Sequence, residues 1–210
     1  DLLHSIEITE EERRDFLNRT ESEIIRINQI IRELLDFSRP SRGEQAETHV
    51  HELIENTVKM LNPQPMMEEI KVALDLWAAD DRVFADPNAL QQVFVNVMMN
   101  AADALAEKDS SEGAQAGKEL RIKSENTDGS IRLSFSDTGL GIARDEVPHI
   151  FDPFYTTKEP GKGTGLGLSV CYRIVEGLGG KIRAESDRGK GMTIHITIPL
   201  FVGDESGGER

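Results

Sequence analysis

Apolar residues Phe16, Ile24, Ile27, Ile31 and Leu34, with Ile30 and Leu35 beside them, recur at spacings of three and four near the start of the chain. That spacing makes one stripe along a long amphipathic helix, with charged Glu23, Arg26 and Glu33 on its other faces. Thr9 and Glu12 predict its start as a capping box, in which the Thr side chain and the Glu three residues on satisfy each other's backbone amides. Pro40, Ser41 and Gly43 end the helix and open a linker. The chain offers no second long helix to receive this stripe, so the stripe calls for a partner surface.

From residue 42 the pattern becomes mixed. Residues 51–61 read as a helix closed by Asn62-Pro63. Ile70, Val72, Leu74 and Leu76 alternate as in a half-buried strand, and 82–85 read as a short one. Asp86-Pro87 predicts a helix start, an Asp cap followed by Pro at the first helical position, and that helix should run to about Ala106. Residues 108–118, rich in Ser, Gly, Glu and Ala, read as a loop. Residues 120–126 and 130–136 alternate around Asp128-Gly129, a strong hairpin signal. Residues 143–164 are long and irregular, a pattern typical of lids. A helix is expected over 165–178, capped by Thr164 and closed by Gly179-Gly180. A last strand pair, 181–185 and 192–198, flanks Gly189-Lys190-Gly191. The polar tail, 203–210, reads as disordered. The expected organisation is a helical region over 1–41, one α/β domain over 42–202, and the tail.

The net charge of −14 disfavours nucleic acid as a partner, and no basic run offsets it. No segment is apolar for long enough to span a membrane. The first residues lack the basic and apolar regions of a signal peptide. The chain lacks an initiator Met, so it is expected to begin inside a longer protein, and any membrane attachment would come from other parts of that protein. Cys171 is the one cysteine. It suits a reducing, cytoplasmic setting, and its plain reading is a small buried hydrophobe.

Three segments carry candidate chemistry. Asn96 and Asn100 lie four apart on one helix face, two neutral oxygens of the kind Mg2+ accepts alongside phosphates; two solvated side chains are the plain alternative. Asp137-Thr138-Gly139-Leu140-Gly141-Ile142 follows a strand. There the carboxylate can accept from an exocyclic amine and the glycines admit a planar base, or the segment is a simple turn. Gly161-Lys162-Gly163-Thr164-Gly165-Leu166-Gly167-Leu168 leads into a helix, as phosphate-binding glycine loops do, or is a flexible loop of small residues. It has neither the P-loop order nor the dinucleotide glycine spacing.

In order and spacing these segments resemble the Bergerat-type ATP-binding fold, and within it the two-component sensor histidine kinases. The Asn box resembles residues 92–101, the first glycine box 137–142, the phenylalanine box 150–158 (Ile150-Phe151-Asp152-Pro153-Phe154-Tyr155-Thr156-Thr157-Lys158) and the second glycine box 163–168. Leu34-Leu35-Asp36-Phe37-Ser38-Arg39-Pro40 resembles the end of a second dimerisation helix. The resemblance implies an α+β, two-layer α/β sandwich with a mixed sheet covered on one face by helices. It implies ATP or ADP with Mg2+ as ligands, Mg2+ on Asn100 with Asn96 nearby. Asp137 would bond the adenine amine, Gly139 and Gly141 would wall the base, Ile142 would be a further nucleotide-binding residue, and residues 143–164 would form a lid. Gly163, Thr164, Gly165, Leu166, Gly167 and Leu168 would bring amides to the phosphates. Lys158 and Lys162 would be lid cations, with Arg144 a weaker candidate. Implied partners are a response regulator receiver domain and a second copy of the protein, joined through the helical region as a four-helix bundle.

The chain departs from the family pattern at three places. Asp103-Ala104 stands where many members have Lys-Tyr, which is similar to the nitrogen-regulation subgroup. Met192 stands where Thr or Ser is frequent, with Thr193 one place on and so on the other strand face. His4 lacks the phosphoacceptor context, as do His49, His51, His149 and His195. The chain is therefore expected to bind nucleotide without phosphorylating itself. A Bergerat-fold ATPase or protein serine kinase, and a non-catalytic nucleotide-binding regulatory module, remain the alternatives.

Overall fold

The computed structural model describes residues 9, 13–17, 20, 24, 43–109, 117–158 and 163–203. The chain forms two compact units, Asp1–Pro40 and Ser41–Arg210. In the first unit, 13–17, 20 and 24 are helical, and Phe16, Leu17 and Ile24 are each more than half exposed. Thr20 Oγ1 donates to the Phe16 carbonyl at 2.8 Å, a back-bond within the helix. Glu12 of the expected capping box, and the stripe from Ile27 to Leu35, lie outside the described residues.

The second unit begins with a strand that the sequence pattern did not reveal, β1 (Ala46–His49). Helix α1 (Val50–Leu61) follows at once, then β2 (Lys71–Leu76) and β3 (Arg82–Ala85). β1 and β3 pair antiparallel as a small separate sheet. Of β1 only Thr48 is buried, and its hydroxyl donates to the Ala85 carbonyl at 3.3 Å.

Helix α2 (Pro87–Asp109) starts where Asp86-Pro87 predicts and runs a few residues beyond Ala106. Asp86 Oδ1 accepts the Asn88 N–H at 2.9 Å, and Pro87 needs no partner for its missing N–H. β4 (Glu119–Thr127) and β5 (Ser130–Asp137) form the expected hairpin. Its turn residues Asp128 and Gly129 have φ of 39° and 74°, the doubly positive geometry that matches the twist of paired strands.

Helix α3 (Gly167–Gly177) and strands β6 (Lys181–Ser186) and β7 (Met192–Pro199) complete the unit. α3 begins two residues later than the pattern suggests because Gly165 has φ +70°, outside the helical region. Thr164 is therefore not its cap. Leu166 takes that position without a side-chain bond, and Thr164 Oγ1 accepts the Leu166 N–H at 3.3 Å.

The main sheet runs β2-β4-β5-β7-β6, with β2 parallel to β4 and the other pairs antiparallel. Ile131, Leu133 and Phe135 of β5 and Ile194, Ile196 and Ile198 of β7 are buried. They meet Ile54 of α1, Phe94 and Met98 of α2, and Cys171 and Val175 of α3 in one core. The Phe94 and Phe135 rings pack with centroids 5.8 Å apart, fixing α2 on the sheet. The alternate residues point to the sheet's open face. There Thr193 Oγ1 donates to Ser136 Oγ at 3.0 Å, the other-face placement that the one-residue shift predicts. The result is a two-layer mixed-sheet sandwich with the C-terminal end of β5 beside the C-terminal half of α2.

Candidate functional site

Asp137 is the last residue of β5, where the strand stops pairing and its side chain turns into the protein. Its Oδ1 accepts the Gly139 N–H at 2.8 Å and the Met192 N–H at 3.3 Å. Oδ2 has no hydrogen-bond partner among the described residues. Burial pushes this carboxyl above its usual range, and backbone amides together with the Lys108 charge only partly offset that. The site thus holds a desolvated carboxylate with one oxygen spare, an acceptor set for a neutral donor.

Glycines surround it for steric reasons. A Cβ on Gly139 would come within 2.9 Å of Ala104 on α2, and a Cβ on Gly191 would run into the Asp137 carbonyl. Gly141, at φ +60°, would place a Cβ 2.7 Å from the Gly191 carbonyl. The segment is pinned further along. The Ile142 N–H donates to Ser186 Oγ at 2.9 Å, and that hydroxyl donates to the Gly191 carbonyl at 2.8 Å. Ile142 therefore fixes the first glycine segment to the β6–β7 turn. Lys108 Nζ, near the end of α2, reaches the Thr138 carbonyl at 2.6 Å and anchors the same segment to the helix.

Asn96 and Asn100 do lie on one face of α2, and the second glycine segment lies against them. Asn96 Nδ2 donates to the Gly167 carbonyl at 3.2 Å. A Cβ on Gly167 would touch both Asn side chains at 3.9 Å. Leu166 is buried, while Leu168 packs against the core. Just before them, the Gly165 carbonyl accepts the Phe154 N–H at 2.9 Å. Phe154 has φ +67°, a strained geometry for a residue with a side chain, and Gly165 is glycine because a Cβ would enter the Phe154 backbone. The middle of the irregular segment is thereby tied to the residue just after its end.

The cations sort differently from the expectation. Lys158 Nζ donates to Asp103 Oδ2 at 2.5 Å and to Asn100 Oδ1 at 3.4 Å, so it sits on α2. Asp103, a misfit when read as a lone carboxylate near phosphate, is paired. Arg144 forms a two-point ion pair with Asp187, Nε to Oδ1 at 2.5 Å, and this guanidinium holds the Asp187 carboxyl down at about 2. Lys162 lies outside the described residues. A cleft of about 480 Å3 leads from Asp137 past Ser186 and Thr193 to Arg144 and Lys190, and it covers only the Asp137 end of the site. Sequence reasoning missed two contributors. Ser186 gave no signal at all, and Ala104 was noted only as a departure, though its small side chain lets Gly139 approach.

Residues 85–202 match the family model for histidine kinase-, DNA gyrase B- and HSP90-like ATPases. Sporulation kinase E of Bacillus subtilis is 36% identical over 185 residues, which cover 88% of this chain and 24% of that protein. The chain thus spans about a quarter of that relative's length. The catalytic domain of the histidine kinase ThkA is 31% identical with a TM-score of 0.61, covering 74% of this chain and 95% of that one. ThkA in a complex with the response regulator protein TrrA is 28% identical with a TM-score of 0.71, covering 92% of this chain and 53% of that one. The converging Asn, Asp and glycine segments agree with these likenesses: this chain belongs to the histidine kinase-, DNA gyrase B- and HSP90-like ATPase family, as the ATP-binding catalytic portion of a histidine kinase.

Proposed function

We propose that this domain binds ATP with Mg2+ and, in the full protein, directs the γ-phosphoryl group to a histidine nitrogen supplied by another part of that protein. The observation that carries the reading is the half-buried Asp137, with one oxygen spent on backbone amides and the other spare. Oδ2 accepts the adenine amine, and Gly139 and Gly141 leave room for the base. The amides at the start of α3 point their partial positive charge at the phosphates. The donor set fits a hard cation, because Asn100 Oδ1 already accepts an ammonium from Lys158. Asn100 would hold the cation together with the phosphates, since among the described residues no group of three His, Cys, Asp or Glu side chains could hold a metal. Bound there, Mg2+ would neutralise phosphate charge. The protein's own share is positioning: Asp137 sets the base, and Asn96 holds the Gly167 turn at the phosphates.

The proposed partners are the receiver domain of a response regulator, supported by the ThkA–TrrA complex, and a second copy of the protein through the helical unit. Exposed Phe16, Leu17 and Ile24 support the second. Asp103-Ala104 supports the nitrogen-regulation-like subgroup. The buried free thiol of Cys171 and the ATP substrate support a cytoplasmic location. Calorimetric titration with ATP and Mg2+ tests the core of the reading. Binding is expected for the wild-type chain and strong weakening for Asn100→Ala, and no binding by the wild type sinks the reading. Incubation with γ-labelled ATP should leave the chain unlabelled; acid-labile label on His4 would overturn the assignment of the acceptor to another segment.

A further inference from the structure

Asn96, Asn100 and Asp103 occupy successive turns of one α2 face. The first two belong to the nucleotide site just proposed, whereas Asp103 puts a carboxylate on the same face. A cation does face Asp103: Lys158 of the irregular segment. Lys158 is held in that pose. Its N–H donates to Thr156 Oγ1 at 3.2 Å, and its side chain passes so close to Gly163 that a Cβ there would lie 3.2 Å from Lys158 Cδ. The Lys158 side chain is 23% exposed, so its ammonium is largely withdrawn from water.

Its two acceptors are an amide oxygen and a carboxylate oxygen, the hard-oxygen pair that also suits a divalent cation. We propose that Asp103 is an unassigned cation-positioning residue of the nucleotide site, and that Lys158 holds its place when no nucleotide is bound. On this view the lysine ammonium neutralises Asp103 and occupies Asn100 Oδ1 in the empty site. A divalent cation arriving with the nucleotide takes over those two oxygens, directly or through water, and Lys158 transfers to the phosphates. A cation thus stands beside the half-exposed Asp103 carboxylate at every stage, so it never faces a polyphosphate unpaired. The exchange moves one ammonium and one metal ion and breaks no covalent bond.

The inference rests on the nucleotide reading above, and its test separates the two. A fluorescent ATP analogue at fixed concentration is titrated with Mg2+, and the half-saturating Mg2+ concentration is read for each variant. Lys158→Met removes the competing ammonium and should lower that concentration. Asp103→Asn removes the carboxylate and should raise it. A shift of at least about tenfold is expected in each direction. Asp103→Glu, which keeps the charge, should stay near wild type. Melting curves confirm that each variant is folded. If the Lys158–Asp103 pair were only a strut, losing either end would shift the half-point in the same direction. Shifts of the same sign, or none, overturn the proposal while leaving nucleotide binding intact. Failure of the wild type to bind the analogue at any Mg2+ concentration overturns the nucleotide reading and this proposal with it.

Discussion

Asp137→Asn exchanges one oxygen for an NH2 group at a side chain whose Oδ1 takes two backbone N–H groups and whose Oδ2 is left for the adenine amine proposed above. If the amide keeps its oxygen on the Gly139 and Met192 N–H groups, its NH2 faces the adenine amine. If it flips, the NH2 faces those two amides. Either way a donor meets a donor. Losing a hydrogen bond to a charged group costs about 1.5–3 kcal/mol, and an unsatisfied buried donor adds about 1–3 kcal/mol. A total of about 3–4 kcal/mol weakens ATP by ~10²–10³-fold. The empty domain should respond differently. The pKa of Asp137 is raised by burial, so its charged form is less favourable folded than unfolded. That penalty enters as pH rises through the unfolded carboxylate value and is complete above the folded one. A neutral Asn does not carry it. At neutral pH the variant should melt no lower than wild type, and in acid below the unfolded value the two should coincide. Wild-type affinity should also fall as pH drops through the raised Asp137 value, a loss that the Asn variant does not share. Titration calorimetry and thermal melts at several pH values read both effects. Near-wild-type binding by the variant, or a loss of binding explained by a lower melting temperature, refutes the reasoning.

Gly191→Ala puts a Cβ into the Asp137 carbonyl at a φ of +87° and should cost about 1–3 kcal/mol, read as a lowered melting temperature together with weaker ATP binding. Cys171 is fully buried on α3 with its thiol pushed up to about 12 by desolvation. Alkylating reagents at neutral pH should therefore label it only as fast as the domain opens, so labelling and unfolding rates should agree in denaturant. Arg144→Ala removes an exposed ion pair with Asp187 and should leave ATP affinity unchanged by calorimetry, because the guanidinium serves that carboxylate rather than phosphate. Phe135→Ala opens a cavity under Phe94 and should destabilise by about 3–5 kcal/mol in urea denaturation.

The parts of this fold that were legible in advance are those whose cause is local. Asp128-Gly129 specifies a turn with two positive φ values, and Asp86-Pro87 specifies a helix start, whatever surrounds them. β1 escaped because it exists only through β3: with Thr48 alone buried, no alternation marks it. The parallel pairing of β2 with β4 escaped for the same reason, since the crossover through β3 and α2 leaves no trace in either strand's own pattern. The site divides along the same line. Asp137 at a strand end and the glycines beside it state a local need, close backbone approach, and they were readable as a site. Lys158 was readable only as a lid cation. Whether it serves phosphate or α2 depends on Asp103, far away in sequence, and on the helix turn that sets Asp103 in line with Asn100. A motif read as a string registers Asp103 as a departure at one position. The folded chain shows Asp103 and Lys158 as two halves of one arrangement, in which the positive charge stands on the segment and the negative one on the helix. Charge at such a site is thus better read across the whole pocket than position by position. That is why a carboxylate beside a phosphate-binding face need not count against nucleotide binding.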